Sequence, residues 1–190
     1  MPLRVTRSWP SIRRSWAARC EPSFAFALGL RHTSSSDRAR SHGNVSHHVQ
    51  VSLDPAIDHA KFRVYSGFGQ QLGPIVFFGA AGVIDGLAAF YPKTVVKLMS
   101  LIAARLEGKQ AIEAEQLEEV RRLQYVVSRA EEFIVRSGIV GIKEATYRVA
   151  GFGTLEGGRL PLKGRLAEGE YDRLHALLLK DIEKVEAELP

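Results

Sequence analysis

The stretch Lys61–Lys93, KFRVYSGFGQQLGPIVFFGAAGVIDGLAAFYPK, constrains the fold more than any other part of the chain. Phe62–Ser66 alternates briefly, with Val64 and Tyr65 suited to a buried strand, and Gly67 closes it. A short apolar segment follows, then Gly82-Val83-Ile84 as a second strand between Gly79 and Gly86. Pro92 then stands at the start of a long amphipathic pattern, where a helix tolerates proline. Two strands joined by so short a connection and followed only by helices form no closed sheet. Parallel strands have open edges and apolar faces that need neighbours. The grammar is that of the end of a longer α/β chain.

The helices are written by period. Val95, Leu98, Met99, Ile102 and Leu106 recur at three and four residues, which predicts a helix ending at Gly108. Leu117, Val120, Leu123, Val127, Ala130 and Ile134 predict a longer one, with Glu118, Glu119, Arg121 and Arg122 on its solvated face. Gly138 and Gly141 punctuate the chain next, and Ile139–Val149 predicts a shorter helix. Residues 151–169 hold six glycines and Pro161 and read as a loop. From about Glu170, Tyr171, Leu174, Leu178, Ile182, Val185 and Leu189 mark one face of a final helix that must cover something.

Charge separates the N-terminal forty residues from the rest. Of the net +5, residues 1–40 carry +6, with eight Arg, no Lys, and only Glu21 and Asp37 as acids. The remaining 150 residues are nearly neutral, so a basic face for nucleic acid is not expected there. Residues 1–40 are Arg-rich, Ser-containing and acid-poor, which fits a mitochondrial transit peptide or a plain disordered leader. Trp9, Ile12 and Trp16 fall at helical spacing there, opposite Arg13 and Arg14, while Pro2, Pro10 and Pro22 limit any helix. No apolar run reaches the roughly 18 residues of a membrane span. The one cysteine, Cys20, excludes an internal disulfide and has no catalytic setting. Order is expected to begin near Val49, after a polar stretch at Ser41–His48, giving two regions, 1–40 and 41–190.

FRVYSG followed by GAAGVIDGLAAFYP, with RLPL and an acidic helix start further on, resembles the dihydrodipicolinate synthase and N-acetylneuraminate lyase superfamily. The branch it is most similar to is the mitochondrial 4-hydroxy-2-oxoglutarate aldolase type. The resemblance runs from Ser41 to Pro190 and matches the family's seventh and eighth strands and C-terminal helices. It implies part of a (β/α)8 TIM barrel, the last two strand–helix units plus C-terminal helices, with the site at the C-terminal ends of the strands. It implies lyase chemistry on pyruvate or a related 2-oxo acid, with no cofactor. A lysine on the sixth strand forms a Schiff base, a tyrosine relays protons, and a hydroxyl-bearing glycine turn holds the carboxylate.

The catalytic lysine does not carry over. In the family it stands four residues before a Gly-Asn or Gly-Asp pair; here that pair is Gly43-Asn44, and the residue is Ala39. No lysine precedes Lys61, and residues 1–40 resemble neither the tyrosine motif nor the hydroxyl turn. Gly141-Ile142-Lys143-Glu144-Ala145-Thr146 imitates the lysine strand but follows both other strands, so Lys143 is expected on a helix surface. What does carry over is pocket wall: Gly67 at the end of the seventh strand, and Ile84 and Val83 in the eighth. Core filling is the competing reading, and the stronger one for Val83. Asp85, after the strand, is placed to face the pocket mouth or to be an exposed turn carboxylate, and the second is the stronger reading.

Three other readings follow from the residues. Gly67-x-Gly69-x-x-x-Gly73 with Asp85 imitates a dinucleotide site, but the connection is too short for its crossover of about a dozen residues. His42, His47, His48 and His59 cluster in sequence without completing a metal-ligand set, and read as a solvated linker. A non-catalytic protein would use its open edges to associate, either as a homo-oligomer or with a full-length barrel.

Overall fold

The computed structural model describes residues 37–40, 43–106 and 114–190, all within one compact unit, Ser36–Pro190. Three parallel strands form its sheet, in chain order: β1 (Asp37–Arg40), β2 (Arg63–Ser66) and β3 (Gly82–Val83). β1 lies inside the stretch read as leader, so the sequence boundary at residue 40 falls too late and its count of two strands is one short. Asp-Arg-Ala-Arg has neither the β-branched content nor the apolar alternation by which a strand is recognised. Its pairing supplies what its composition does not: Asp37 to Arg40 run in register with Arg63 to Ser66. Tyr65 and Ser66 in turn pair with Gly82 and Val83.

Each crossover contains a short helix. α1 (Val45–Ser52) connects β1 to β2, and α2 (Leu72–Phe77) connects β2 to β3. α1 overturns the reading of Ser41–His48 as a linker, for all but its first residues. The side chain of Asn44 accepts a bond from the His47 N–H at 3.2 Å and caps the helix. His48 is fully buried on its inner side, while His47 is half-buried. Among the described residues no group of three His, Cys, Asp or Glu side chains is arranged to hold a metal; His42 lies outside them.

The helical layer follows the sequence periods closely. α3 (Pro92–Leu106) buries Val95, Leu98 and Ile102 against α2 and α4. α4 (Ala114–Ala145) buries Leu123, Val127 and Ala130, with Val126 and Phe133 added. Glu118–Arg121 and Glu119–Arg122 pair at i,i+3 on its outer face. Gly138 interrupts α4 with φ 59° and ψ −155°, a conformation open only to glycine, and divides it where the sequence placed a break. A π turn at Thr146–Ala150 ends on Gly151 in the left-handed conformation.

The C-terminal helix comes as α5 (Glu170–Leu174), a π turn, and α6 (Lys180–Glu188). Tyr171, Leu174, Leu178, Ile182 and Val185 are all buried, as their spacing requires. What this helix covers is α4 and the start of α3. Phe90, Phe133 and Tyr171 stack edge-on in series, with ring centroids 6.3 and 5.8 Å apart, joining the turn after β3 to α4 and α5. Glu186 accepts the N–H groups of Lys93 and Thr94, each at 2.8 Å, and so caps the N-terminus of α3 from the far end of the chain.

Candidate functional site at the strand ends

Alternation along the strands assigns two faces to the sheet. Val64 and Ser66 are buried toward the helices, and Val83, paired with Ser66, packs with them against the core. Tyr65 and Ile84 belong to the opposite face. Tyr65 is half-buried, and Ile84 is 65% exposed. β1 places Ala39 at the register position opposite Tyr65. Of the three pocket-wall residues expected from the sequence, Ile84 lies on the open face beside Tyr65. Gly67 follows directly at the C-terminal end of β2. Val83 is turned the other way, into the core.

The turn after β2 is held from three directions. Ser66 Oγ donates to Gln71 Oε1 at 2.6 Å and accepts the Phe68 N–H at 3.2 Å. Gln71 Nε2 donates to the Gly43 carbonyl at 2.8 Å, tying this turn to the residue before the cap of α1. From α4, Gln124 Oε1 accepts the Gly73 N–H at 2.8 Å, while its Nε2 donates to the Gln70 carbonyl at 3.2 Å. These bonds occupy the backbone donor at Gly73 and hold the turn against α4. The crossover contains only a 3-10 turn and the six-residue α2, so the dinucleotide reading finds no full crossover helix.

Two carboxyl groups meet at the end of β3. Asp85 comes from the strand end and Glu131, 1% exposed, from the buried side of α4. Their side chains converge beside Gly69, where a methyl group would overlap Asp85 Oδ2 and lie 2.8 Å from Glu131 Oε1. Asp85 Oδ1 accepts the Ala88 N–H at 3.0 Å. Asp85 Oδ2 and Glu131 Oε1 are both buried with no donor from any other group. Two ionised carboxylates have only acceptors to offer, so one proton must lie between them. Burial and the neighbouring Asp85 push Glu131 up to about 8, and burial also raises Asp85. Asp85 is therefore not the exposed turn carboxylate that the sequence suggested.

Sequence reasoning missed Glu131, though a signal was present. It stands four residues after Val127 and eight after Leu123, on the apolar arc of the helix and not its solvated one. An acid in that position needs a partner. Lys143 lies exposed on α4, where the sequence placed it, and lines a cleft of about 410 Å³ with Ile139, Ile142 and Phe152.

These features define a class first: parallel strands backed by helices, with the open face and the glycine turns at the strand ends, as in an α/β barrel wall. The chain matches no protein-family model. Over 75 residues it is 33% identical to a probable mitochondrial 4-hydroxy-2-oxoglutarate aldolase of Emericella nidulans, covering 40% of this chain and 21% of that protein. A putative dihydrodipicolinate synthase from Thermus thermophilus superposes with a TM-score of 0.62 at 21% identity, over 88% of this chain and 52% of the other. A putative dihydrodipicolinate synthase family protein from Coccidioides immitis gives 0.61 at 22% identity, over 81% and 47%. A Sulfolobus 2-keto-3-deoxygluconate aldolase gives 0.60 at 18% identity, over 87% and 49%. The chain is thus similar over part of its length to a 4-hydroxy-2-oxoglutarate aldolase sequence, and its fold is similar to that of dihydrodipicolinate synthase family proteins. It spans about half the length of these solved structures and about a fifth of the curated relative.

Proposed function

We propose that this chain forms the wall of a 2-oxo-acid aldolase pocket without the amine that would make it an aldolase. The observation that carries this reading is the register of β1. The strand preceding β2 offers Ala39 opposite Tyr65, where the resemblance calls for the Schiff-base lysine. Schiff-base formation needs a nucleophilic amine at the strand ends, and alanine has none. Lys143 is on a helix beside a separate cleft and does not substitute. Gly67 and Ile84 remain as wall in this reading and carry no group that attacks a 2-oxo acid. No cofactor and no nucleic acid enter this reading. Among the described residues no helix is long and apolar enough to cross a membrane.

Borohydride reduction of the purified chain with pyruvate, read by intact mass, tests the proposal. No adduct is expected. A stable adduct mapped to any lysine overturns it.

A second reading is favoured by the exposure of Ile84 on the inner sheet face. In it, the chain is a non-catalytic protein whose open face and strand edges associate with a second copy or with a full-length barrel of the same family. Light scattering of the chain alone, and mixed with such a barrel, separates the two. The Arg-rich residues 1–40 fit import into mitochondria, and an import assay with residues 1–35 deleted, which leaves β1 in place, tests this part.

A further inference from the structure

We propose that Asp85 and Glu131 act as a one-proton latch that holds the turn after β2 onto α4 and releases it when the shared proton is lost. The latch brings together the turn after β2, the turn after β3 and α4, beside the two bonds by which Gln124 of α4 holds the first of these turns. Asp85 is fixed to the chain after β3 by the Ala88 N–H, and Glu131 Oε1 lies directly against Gly69 of the turn. Gly69 lies so close that a methyl group there would overlap Asp85 Oδ2 and stand 2.8 Å from Glu131 Oε1. The three groups are packed without slack, so the pair cannot move apart while the turn stays in place. With the proton present, each carboxyl oxygen at the contact has a partner. Without it, two buried negative charges face one another, and the turn must lift or admit water to separate them.

Among the described residues no basic side chain acts on either carboxyl. The segment Phe68–Gly73 contains no titratable side chain, and Gly86–Tyr91 contains only Tyr91. On α4, Arg129 is turned to Asp181, at 3.7 Å, and to the Leu177 carbonyl, at 2.7 Å. Glu132 pairs with Arg136 on the outer face. On β2, Arg63 is exposed, and Tyr65 faces the opposite side of the sheet from the core. From the C-terminal helix come Tyr171, under the Arg148 guanidinium, and His175, which meets Glu183 at 3.3 Å. Among the described residues Asp85 is the titratable group that acts on Glu131, and Glu131 the titratable group that acts on Asp85. A buried pair with no cation is a poor device for stability alone and a good one for sensing protons. Its place beside Gly67 makes the shape of the wall depend on pH. This follows from the carboxyl geometry and stands whether or not a 2-oxo acid binds.

The test is hydrogen exchange on the full chain across pH, corrected for intrinsic rates and read on peptides covering 66–74, with peptides from α3 as reference. For the wild type, the opening of 66–74 should increase about tenfold per pH unit between roughly pH 5 and 8, then level off. Glu131→Gln keeps a donor toward Asp85 and cannot ionise, so its opening should be independent of pH in that range. A wild-type profile no steeper than that of the α3 peptides overturns the latch, as does a Glu131→Gln profile that keeps the wild-type slope. Carboxyl carbon-13 titration of the wild type reads the same proton without any substitution. One carboxyl titrating near neutrality or above supports the latch, and both titrating below about pH 5 refutes it.

Discussion

Gly69→Ala isolates the packing at the carboxyl pair from every other property of that position. Gly69 is not in the left-handed region, so alanine fits its backbone conformation. On backbone grounds the substitution should therefore stabilise the fold by about 0.4–1 kcal/mol, through the unfolded chain. The structure reverses the sign. The added methyl overlaps Asp85 Oδ2 and crowds Glu131 Oε1, and Asp85 cannot yield because the Ala88 N–H holds its other oxygen. Overpacking of this kind costs about 1–3 kcal/mol. Separating the pair adds about 1–3 kcal/mol for buried oxygens left without a partner. A net loss of roughly 1–6 kcal/mol is expected near pH 6, read by urea unfolding with circular dichroism.

The pH dependence follows from the raised values. Glu131 lies at about 8 when folded, against 4.5 ordinarily, so its contribution is fully present below about 4.5 and is lost as pH rises through 8. The full difference would correspond to about 5 kcal/mol, and a partly hydrated pair that relaxes contributes less. Near pH 9 the wild type has already lost this contribution, and Gly69→Ala should cost less there than near pH 6. A variant as stable as the wild type at pH 6, or an equal loss at both pH values, would refute the packing and the shared proton respectively.

Other outcomes follow from individual contacts. Glu186→Ala removes the cap on α3 and should cost about 1–2 kcal/mol in urea unfolding, with Glu186→Gln losing less. Leu98→Ala empties a fully buried site among α2, α3 and α4 and should cost about 2–5 kcal/mol. Ile84→Asp sits on an exposed face and should change stability by less than about 0.5 kcal/mol. If the chain self-associates through that face, the same substitution should return it to monomer in light scattering.

The helical half of this fold was legible because its information is periodic and local. Each residue of the final stripe from Tyr171 to Val185 is buried, and the break at Gly138 is where glycine alone can turn the chain. The first strand was not legible, because Asp37–Arg40 owes its conformation to pairing with Arg63–Ser66, more than twenty residues away. α1 was hidden by histidines. His48 is polar by type yet fully buried, so a reading by polarity assigned a linker where Asn44 caps a helix.

The candidate site divides along the same line. Gly67 and Ile84 were recognisable because turn and strand signals are local. The resemblance could not say which way Val83 points, since a shift of one residue along a strand exchanges its faces. Only the pairing of Val83 with Ser66 decides that. Glu131 is the converse case. Its sequence position on the apolar arc of α4 already conflicts with its charge, and such a conflict between pattern and chemistry marks a residue with a specific partner. Here the partner is another acid on a different element, 46 residues earlier in the chain. Two misfits that resolve each other by sharing a proton are invisible to any reading taken one segment at a time.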